Sequence, residues 1–257
     1  MDRISFDMTG RTALVSGASS GIGRRLCEEL AAAGANVVAA ARRIAHLETL
    51  VQEIADRGGK AAAVQMDVAD QESVVAAFDV AEDAFGTVHS IYANAGIHIG
   101  GTALELPMAD FDRVMATNVN GAILTAREGA ARLIKAGRDT SQRGRVVIVG
   151  SIRGLNPVVD NIAYCTSKAA SIMAGRTMAL EWAGHGINVN VVCPGVMITE
   201  ISEKFYQTEA GKNRVASAPR QRVMEVDDLK YALLYLGSDH SRAVTGSVIT
   251  IDDGQTL

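Results

Sequence analysis

The chain has 257 residues, of which 48% are hydrophobic, so it is long enough to bury a substantial core. Its formal net charge is −4 at pH 7 and its pI is about 5.8. This balance provides no general attraction to nucleic acid or to an anionic membrane, and we expect neither as a partner.

The cysteines and the N-terminus favour an intracellular protein. Three cysteines, Cys27, Cys165 and Cys193, are widely spaced and fit no metal-ligand pattern, which indicates free, reduced thiols. The first ten residues contain no apolar core of signal-peptide length. No apolar run reaches the roughly 18 residues that a membrane helix needs. We therefore expect a cytoplasmic location.

From Arg11 onward, short β-branched runs alternate with longer helical patterns, which is typical of βαβ units on a parallel sheet. No linker divides the chain, so we predict one α/β domain over residues 1–257. The predicted architecture is a Rossmann-type, doubly wound parallel sheet with helices on both faces. Its loops after the strands meet at one edge, where ligands bind. The predicted strands, about seven, are 12–16, 36–40, 61–65, 90–93, 145–149, 188–192 and 248–251.

The first predicted strand leads into a helix through a glycine-rich turn with Gly17, Gly21 and Gly23. Glycines at such a turn let the backbone approach a pyrophosphate, which the free N–H groups and dipole of the helix start stabilise. The spacing Gly-x-x-x-Gly-x-Gly differs from the common Gly-x-Gly-x-x-Gly fingerprint. The alternative is a tight turn that binds no ligand.

The second strand is followed by Arg42 and Arg43 and by no carboxylate. NAD-binding units usually place an acidic group here, whereas an arginine accommodates the 2′-phosphate of NADP. Two guanidiniums therefore favour NADP over NAD, and Ser20 can add a hydroxyl bond to that phosphate. The alternative is that these arginines are only a solvated helix start.

Polar residues also follow the third and fourth strands. Asp67 can accept a hydrogen bond from an adenine amino group, or it can cap the helix that starts near Gln71. Asn94 and Gly96 after the fourth strand indicate a close approach of the backbone to a cofactor.

A long helical pattern covers about residues 109–136 and contains Asn118 and Gly121. Both residue types lower helix stability, so we predict a kink or a functional role there. The polar, glycine-bounded segment 137–144 predicts an exposed loop.

Tyr164 and Lys168 stand four residues apart in a predicted helix, on one face. A free tyrosine loses its proton only at about pH 10, and a cation one turn away favours the phenolate, which suits proton transfer. Ser151 lies 13 residues before Tyr164, after a strand, and can donate to a substrate carbonyl oxygen. Taken alone, the pair also fits a solvated helix face, and the serine fits ordinary loop chemistry.

A set of motifs along essentially the whole chain resembles the short-chain dehydrogenase/reductase family. The motifs are Gly17-x-x-x-Gly21-x-Gly23, Asn94-Ala95-Gly96, Asn118, Ser151, Tyr164-x-x-x-Lys168 and Pro194-Gly195-x-x-x-Thr199. The resemblance implies a single Rossmann-type domain, a nicotinamide cofactor, catalysis without a metal, and commonly a homotetramer.

The resemblance also implies roles for individual residues. Tyr164 would be the acid/base, Lys168 would favour its ionised form and hold the nicotinamide ribose, Ser151 would bind the reacting oxygen, and Asn118 would position a water. The residues expected to bind the cofactor are Gly17, Ser19, Ser20, Gly21, Ile22, Gly23, Arg42, Arg43, Asp67, Val68, Asn94, Ala95, Gly96, Tyr164, Lys168, Pro194, Gly195, Met197 and Thr199.

Three positions depart from the family pattern. Ser16 replaces a usual threonine before the first glycine, and Ala93 stands where an asparagine is common. The sequence Asp252-Asp253-Gly254 replaces a common Asp-Gly-Gly, which puts local packing or subunit contacts in doubt rather than the chemistry.

The expected function is an NADP(H)-dependent oxidoreductase, or ketoreductase, acting on a ketone or secondary alcohol. The alternatives are an NAD-dependent alcohol or polyol dehydrogenase and a non-catalytic nucleotide-sensing protein, which would lack part of the catalytic set. By fold, residues 196–222 should form a mobile substrate lid, whose composition suits a moderately lipophilic substrate. Arg153 can meet an anionic substrate, form a salt bridge to Asp160, or simply face solvent.

Overall fold

The computed structural model describes residues 6–197 and 206–257. Its centre is a parallel sheet of seven strands in the order β3-β2-β1-β4-β5-β6-β7, which confirms the predicted doubly wound topology. The strands are β1 Thr12–Ser16, β2 Asn36–Ala41, β3 Lys60–Gln65, β4 Val88–Ala93, β5 Arg145–Val149, β6 Asn188–Pro194 and β7 Val248–Ile251.

Helices cover both faces of this sheet. They are α1 Gly21–Ala32, α2 Ile44–Asp56, α3 Gln71–Phe85, α4 Met108–Met115, α5 Gly121–Lys135, α6 Arg138–Ser141, α7 Ile162–Trp182, α8 Glu209–Ala216 and α9 Lys230–Gly237. Short 3-10 turns occupy Ile152–Gly154, Ala183–His185, Val226–Leu229 and Asp239–Ser241.

The core has two halves, one on each face of the sheet. Helices α3, α5 and α7 pack with Leu14 and Ile91 on one face, and α1, α2 and α9 pack with Ala13 and Val15 on the other. Neighbouring residues of β1 therefore point into different halves, and both sides are apolar. Full burial of one leucine side chain such as Leu14 contributes about 1.5–3 kcal/mol. The middle of β1 is accordingly apolar, and polar residues stand at its two ends, Thr12 and Ser16.

All seven predicted strands are present, and their ends differ by at most two residues. Extensions of two residues occur at the start of β4 and at the end of β6. β6 continues to Pro194 because Cys193 and Pro194 lie in register with Thr250 and Ile251 of β7. Pairing with an edge strand, rather than local propensity, sets this boundary. The end of β6 thereby reaches the same edge of the sheet as the ends of β1, β4 and β5.

The long helical pattern is irregular at the position where a kink or a functional role was predicted. Between α4 and α5, residues Ala116–Asn120 form one π-helical turn, which contains Asn118. At the start of α5, a Cβ atom on Gly121 would lie 2.6 Å from the Val68 side chain. The glycine therefore lets the helix pass close to the loop after β3.

The prediction that residues 137–144 form an exposed loop is right only in part, since residues 137–139 and 142 are exposed. The segment contains α6, and Ser141 at its end is 2% exposed. The Ser141 hydroxyl donates to the carbonyl of His185 over 2.6 Å, and Arg138 donates to the carbonyl of Gly184 over 3.0 Å. Contact with the distant turn after α7 orders a segment whose local composition is typical of a loop.

The predicted lid, residues 196–222, is described only in part, since residues 198–205 lie outside the described residues. Its first described residue, Val196, is bound at both backbone groups by Gln255: the N–H donates to Oε1 over 2.9 Å and the carbonyl accepts from Nε2 over 3.2 Å. Helix α8 lies on the other side. The mobility of the lid stays a prediction.

Two further sequence predictions concern the thiols and the membrane. All three cysteines are free, and Cys27 and Cys193 are buried. Burial raises the pKa of both thiols, which makes them poor nucleophiles. Within residues 6–197 and 206–257, no helix combines the length and the apolar run that crossing a bilayer requires.

Candidate active site

The turn after β1 exposes backbone at the start of α1. Gly17 and Gly21 have φ values of +69° and +55°, and a Cβ atom on Gly17 would lie 2.8 Å from the Cα of Ala95. Ser20 occupies the N-cap of α1, but its hydroxyl makes no capping bond. The N–H groups of the first helical turn are thus without a side-chain cap, which is the condition for binding a phosphate.

The ends of β1 and β4 are fastened together next to this turn. The Ser16 hydroxyl accepts from the N–H groups of Asn94 and Ala95 over 3.0 and 3.1 Å. The Asn94 amide donates back to the carbonyl of Ser16 over 2.9 Å. β1 and β4 flank the point where the strand order reverses, so these bonds shape the crevice where such folds bind ligands. Serine at position 16 supplies the hydroxyl that this arrangement needs.

A cleft of about 350 Å³ opens at this edge of the sheet. Eleven of the residues predicted to bind a cofactor line it: Gly17, Ser19, Ser20, Ile22, Arg42, Arg43, Asp67, Val68, Asn94, Ala95 and Gly96. Gly21 and Gly23 lie in the first turn of α1. Pro194, Gly195 and Met197 lie at and beyond the end of β6, outside the cleft lining, and Thr199 lies outside the described residues.

The cleft is cationic at the end of β2. Arg43 donates to the hydroxyls of Ser19 and Ser20 over 2.9 and 3.2 Å. Arg42 is exposed, and its guanidinium has no partner in the parts of the chain that the structure describes. Neither arginine forms an ion pair there, and Asp67 is the one carboxylate among the described lining residues. Positive charge is therefore available to a ligand.

The alternative that Asp67 caps the next helix is wrong. The carboxylate of Asp70 caps α3 by accepting from the N–H of Glu72 over 2.9 Å. Asp67 instead accepts from the N–H of Ala69 through Oδ1 over 3.0 Å. Among the described residues its Oδ2 has no hydrogen-bond donor, which leaves that oxygen for a ligand in the cleft.

Tyr164 and Lys168 both belong to α7, as predicted. The Lys168 Nζ lies 5.7 Å from the centroid of the Tyr164 ring. The lysine is 5% exposed, and its Nζ donates to the carbonyl of Val149 at the end of β5 over 2.8 Å. It forms no ion pair with any described carboxylate. A buried ammonium group without a described carboxylate partner is thereby held beside the Tyr164 phenol.

Ser151 follows β5 and faces the same helix. It is 8% exposed, and its hydroxyl oxygen accepts from the N–H of Arg153 over 3.1 Å, which leaves the hydroxyl proton for donation. A Cβ atom on Gly154 would lie 2.6 Å from the carbonyl carbon of Lys168. The turn that contains Ser151 is therefore packed directly on α7, at a fixed position relative to Tyr164.

The side chain of Asn118 is used to hold the backbone after β4. Its Oδ1 accepts from the N–H of Ile97 over 2.8 Å, and its Nδ2 donates to the carbonyl of Ile97 and to Ser167 Oγ over 3.0 Å each. A Cβ atom on Gly96 would lie 3.3 Å from Asn118 Oδ1 and 3.6 Å from Lys168 Nζ. Asn118 is thus close to Lys168, and its water-positioning role stays a prediction.

The salt bridge considered between Arg153 and Asp160 does not form among the described residues. Arg153 is half-buried, and Asp160 is exposed with a φ of +60°. The left-handed backbone at Asp160 belongs to the loop that leads into α7. Arg153 and Asp160 are thus close in the sequence but do not form an ion pair in the described structure.

Four residues of the site were missed by sequence reasoning: His98, Asn161, Ser167 and Ser171. The His98 ring lies 5.2 Å from the Tyr164 ring, between centroids. Ser167 and Ser171 bond to the side-chain amide and the carbonyl of Asn118. The serines follow Tyr164 at helical spacing, which is a signal that could have found them. Nothing in the local sequence singles out His98.

The fold and the cleft together define a dinucleotide-binding α/β protein with a tyrosine–lysine pair at the ligand edge. The family model for short chain dehydrogenases matches residues 11–210. The chain belongs to the short-chain dehydrogenase family. It is accordingly an NAD(P)-dependent oxidoreductase that acts on alcohol or ketone groups.

Relatives cover nearly the whole chain. The D-threitol dehydrogenase of Mycolicibacterium smegmatis is 30% identical, over 98% of this chain and 95% of its own length. The 3beta-hydroxysteroid dehydrogenase 1 of Eggerthella lenta is 35% identical over the same shares. A similar crystal structure comes from Beutenbergia cavernae and is provisionally described as an NAD(P) dependent gluconate 5-dehydrogenase, with NADP bound at low occupancy. It has a TM-score of 0.89 and 31% sequence identity, and the match covers 98% of both chains.

Proposed function

We propose that this chain transfers a hydride between NADP(H) and a ketone or secondary alcohol, with Tyr164 as the acid/base. The observation that carries the proposal is the buried Lys168 ammonium, which lacks a described counter-ion and lies 5.7 Å from the Tyr164 ring. Burial of an unpaired cation is unfavourable for stability. The Lys168 ammonium nevertheless lies beside Tyr164, whose hydroxyl has no hydrogen-bond partner among the described residues. This arrangement supports a role for both side chains in catalysis.

The residues present fit a nicotinamide dinucleotide. Gly17 leaves bare backbone at the turn, and the uncapped first turn of α1 suits the pyrophosphate. Arg42 and Arg43 suit a 2′-phosphate because each guanidinium can form two parallel bonds to it. Bound there, the nicotinamide would supply or accept the hydride at the substrate carbon. By resemblance, Pro194, Gly195, Met197 and Thr199 would hold its nicotinamide end.

Each catalytic side chain has a defined task in the reducing direction. Tyr164 gives its proton to the substrate oxygen as negative charge develops there, and the Ser151 hydroxyl donates a hydrogen bond to the same oxygen. Lys168, held by the carbonyl of Val149, stabilises the phenolate that remains. Asn118 keeps the backbone at Ile97 in place. Oxidation of an alcohol follows the same steps in reverse.

The experiment for this proposal is Tyr164→Phe. The variant keeps the ring but has no proton to give, so we expect turnover to fall about 10²–10⁴-fold while cofactor affinity is retained. Tyr231→Phe is the matched control, because Tyr231 is 60% exposed on α9. Turnover close to wild type in Tyr164→Phe would contradict the assignment.

The cofactor preference is tested separately with Arg42→Ala and Arg43→Ala. Each variant should lower the ratio of NADPH to NADH affinity by about tenfold, since each loses a charged partner of the phosphate. Arg57→Ala is the control, as this arginine is 63% exposed at the C-terminal end of α2. An unchanged ratio in both variants would favour the second candidate, an NAD-dependent alcohol or polyol dehydrogenase, which the threitol dehydrogenase relative supports.

Substrate and assembly complete the proposal. A panel of ketones and secondary alcohols, followed by NADPH absorbance, identifies the substrate. The chain is proposed to be a cytoplasmic homo-oligomer, a tetramer or a dimer, as is common for proteins that resemble it. Light scattering of the purified protein measures this, and a monomer would contradict it.

A further inference from the structure

His98 lies against the proposed acid/base although no motif contains it. Its ring is inclined 78° to the Tyr164 ring, with 5.2 Å between the centroids. The histidine is exposed, and it follows the Asn94-Ala95-Gly96 turn at the ligand edge. It is therefore a second ring at the site, open to a substrate and in edge contact with Tyr164.

The backbone on both sides of His98 is fixed. Before it, both backbone groups of Ile97 are bound by the Asn118 side chain. After it, the N–H of Gly101 donates to the carbonyl of Asp160 over 2.7 Å, and Gly101 pairs with Asn161 in a parallel bridge. The loop that contains His98 is thus fastened to the start of α7, the helix that carries Tyr164.

The His98 ring is fixed as well, by a hydrogen bond between its Nε2 and Asn161 Oδ1. The Asn161 amide is oriented because its Nδ2 donates to the carbonyl of Val159 over 2.9 Å. Its Oδ1 can only accept, so Nε2 of His98 carries a proton. In the neutral ring the other nitrogen, Nδ1, is then an acceptor. It has no donor among residues 6–197 and 206–257.

We propose that His98 is a positioning and specificity-determining residue with two separable effects. The ring holds the Tyr164 ring in place, and Nδ1 accepts a hydrogen bond from a hydroxyl group on the carbon next to the reacting one. The favoured substrates are therefore α-hydroxy ketones and vicinal diols. This inference rests on the proposed function, because it takes Tyr164 as the acid/base.

The relatives give independent support for this substrate class. One is named for D-threitol, and another, from Caenorhabditis elegans, for L-xylulose. Both compounds carry hydroxyl groups on adjacent carbons. A substrate of this kind presents a second hydroxyl close to the one that reacts, where a fixed acceptor can select it.

Two substitutions separate the effects. His98→Phe keeps a ring against Tyr164 but has no acceptor, whereas His98→Asn places an amide oxygen where Nδ1 stood but has no ring. His46→Ala is the control, because His46 is exposed on α2 and outside the site. Circular dichroism and thermal unfolding of each variant establish that it is folded.

The measurement is kcat and kcat/KM for each ketone that the wild-type enzyme reduces and for its α-hydroxy derivative, as for butanone and acetoin. We expect the wild type to prefer the hydroxy ketone by about tenfold in kcat/KM, the effect of one hydrogen bond. His98→Phe should lose this preference, with a smaller fall in kcat for the simple ketone than His98→Asn shows, because a ring still contacts Tyr164. His98→Asn should retain the preference and lose about tenfold in kcat for both ketones, because Tyr164 is no longer held.

The outcomes that overturn the inference are distinct. A wild-type enzyme with no preference, or His98→Phe with the wild-type preference, removes the substrate selection. Wild-type kcat in His98→Asn removes the positioning effect. If Tyr164→Phe is itself active, the proposed function fails instead, and the two failures are thereby distinguished.

Discussion

The polar side chains at the two edges of the sheet differ in how many hydrogen bonds and ion pairs they form within the protein. At the amino edge, where the strands begin, Arg11 and Arg145 are only 1% and 2% exposed. Arg11 donates to Ser90 Oγ over 3.0 Å, to Asp239 Oδ1 over 2.6 Å and to the carbonyl of Arg143 over 2.6 Å. Its guanidinium is thus bound on all three nitrogens by the protein.

Arg145 is bound in the same way, by the carbonyls of Ser238, Gln142 and Gly144. Burial lowers the pKa of Arg145 to about 10. Burial alone would raise the pKa of Asp239, but the charge of Arg11 and its neighbours outweighs it and holds that pKa below its ordinary value. At the amino edge, Arg11, Arg143 and Arg145 thus share one carboxylate, Asp239, at 2.6, 3.6 and 3.8 Å. Backbone carbonyls accept most of the remaining guanidinium hydrogen bonds of Arg11 and Arg145.

At the carboxyl edge, by contrast, the polar groups have bonding positions that the described residues leave open. The Tyr164 hydroxyl, the Arg42 guanidinium and His98 Nδ1 are examples, and the Lys168 ammonium has no carboxylate partner there. The comparison teaches that the polar groups at the amino edge are bonded within the protein, whereas those at the carboxyl edge keep open positions, which the proposed function assigns to ligands. Substitutions at each edge should therefore affect different measurements.

Lys168→Met should have the largest effect on turnover. Loss of the cation removes support for the phenolate, and we expect turnover to fall about 10²–10⁴-fold. The free energy of unfolding should stay within about 1 kcal/mol or rise, since a buried charge without a counter-ion is replaced by an apolar chain of similar length. Denaturant unfolding and steady-state kinetics measure both. A large loss of stability would show that Lys168 belongs with the amino-edge charges.

Arg11→Met should show the reverse pattern. Removal of the guanidinium leaves Ser90, Asp239 and the Arg143 carbonyl without their donor, which should cost about 3 kcal/mol of unfolding free energy. Turnover per folded molecule should not change. Arg143→Met is the matched control, because that side chain is 41% exposed and its loss should cost below about 1 kcal/mol. If Arg11→Met and Arg143→Met lost the same unfolding free energy, burial of the Arg11 guanidinium would not be the cause of its larger predicted effect.

Gly17→Ala and Gly21→Ala compare two glycines with positive φ at the carboxyl edge. Both substitutions strain the backbone, by about 1 kcal/mol. At Gly17 the new methyl group also meets Ala95, whereas nothing lies within 4 Å at Gly21. We expect a loss of about 2–3 kcal/mol for Gly17→Ala, with weaker NADPH binding. Thermal unfolding with and without cofactor tests this, and a greater loss at Gly21 would contradict it.

His89→Gln should have the smallest effect, confined to acid pH. Burial, with Arg143 and Arg11 nearby, lowers the pKa of His89 from 6.5 to about 4. The unfolded chain then binds the extra proton between about pH 6.5 and pH 4, so the stability of the wild type falls as the pH is lowered through this window. With allowance for partial exposure, the fall attributable to His89 is about 1–2 kcal/mol.

His89→Gln should lack that part of the acid destabilisation. The comparison is between slopes of unfolding free energy against pH, so any loss at neutral pH from the weak bond between the Thr12 N–H and His89 Nδ1 does not affect it. His46→Gln, on an exposed histidine, should retain the wild-type slope. Identical slopes in all three proteins would show that His89 is not held neutral at the amino edge.

Sequence reasoning predicted well the features that depend on local pattern. Every strand was found, because each contains a short run of apolar, mostly β-branched or small residues, as at residues 13–15 and 146–149. The sequence located the helical irregularity at Ala116–Asn120 because residues that lower helix stability cluster there. Helical spacing drew attention to Tyr164 and Lys168, and the resemblance of the whole motif set gave the pair its expected role.

Features set by distant contacts were missed. Residues 137–144 form a helical turn because Ser141 and Arg138 bond to the carbonyls of His185 and Gly184. The capping alternative for Asp67 was wrong because Asp70 stands immediately before the helix. The two errors differ in kind. The contacts of Ser141 and Arg138 lie elsewhere in the chain and have no local signal, whereas Asp70 at the N-cap is a local signal that identifies the capping residue.

By itself, the sequence determined the order of strands and helices, the glycine turn after β1 and the set of residues that marks the family, because periodicity and motif spacing are properties of the chain. The tertiary structure decided which polar groups form hydrogen bonds or ion pairs within the protein and which keep unused bonding positions among the described residues. Arg11 meets Asp239, and His98 meets Tyr164, only when the sheet brings them together. The physical reason is that hydrogen-bond satisfaction depends on neighbours in space, and parallel strands place segments far apart in sequence side by side.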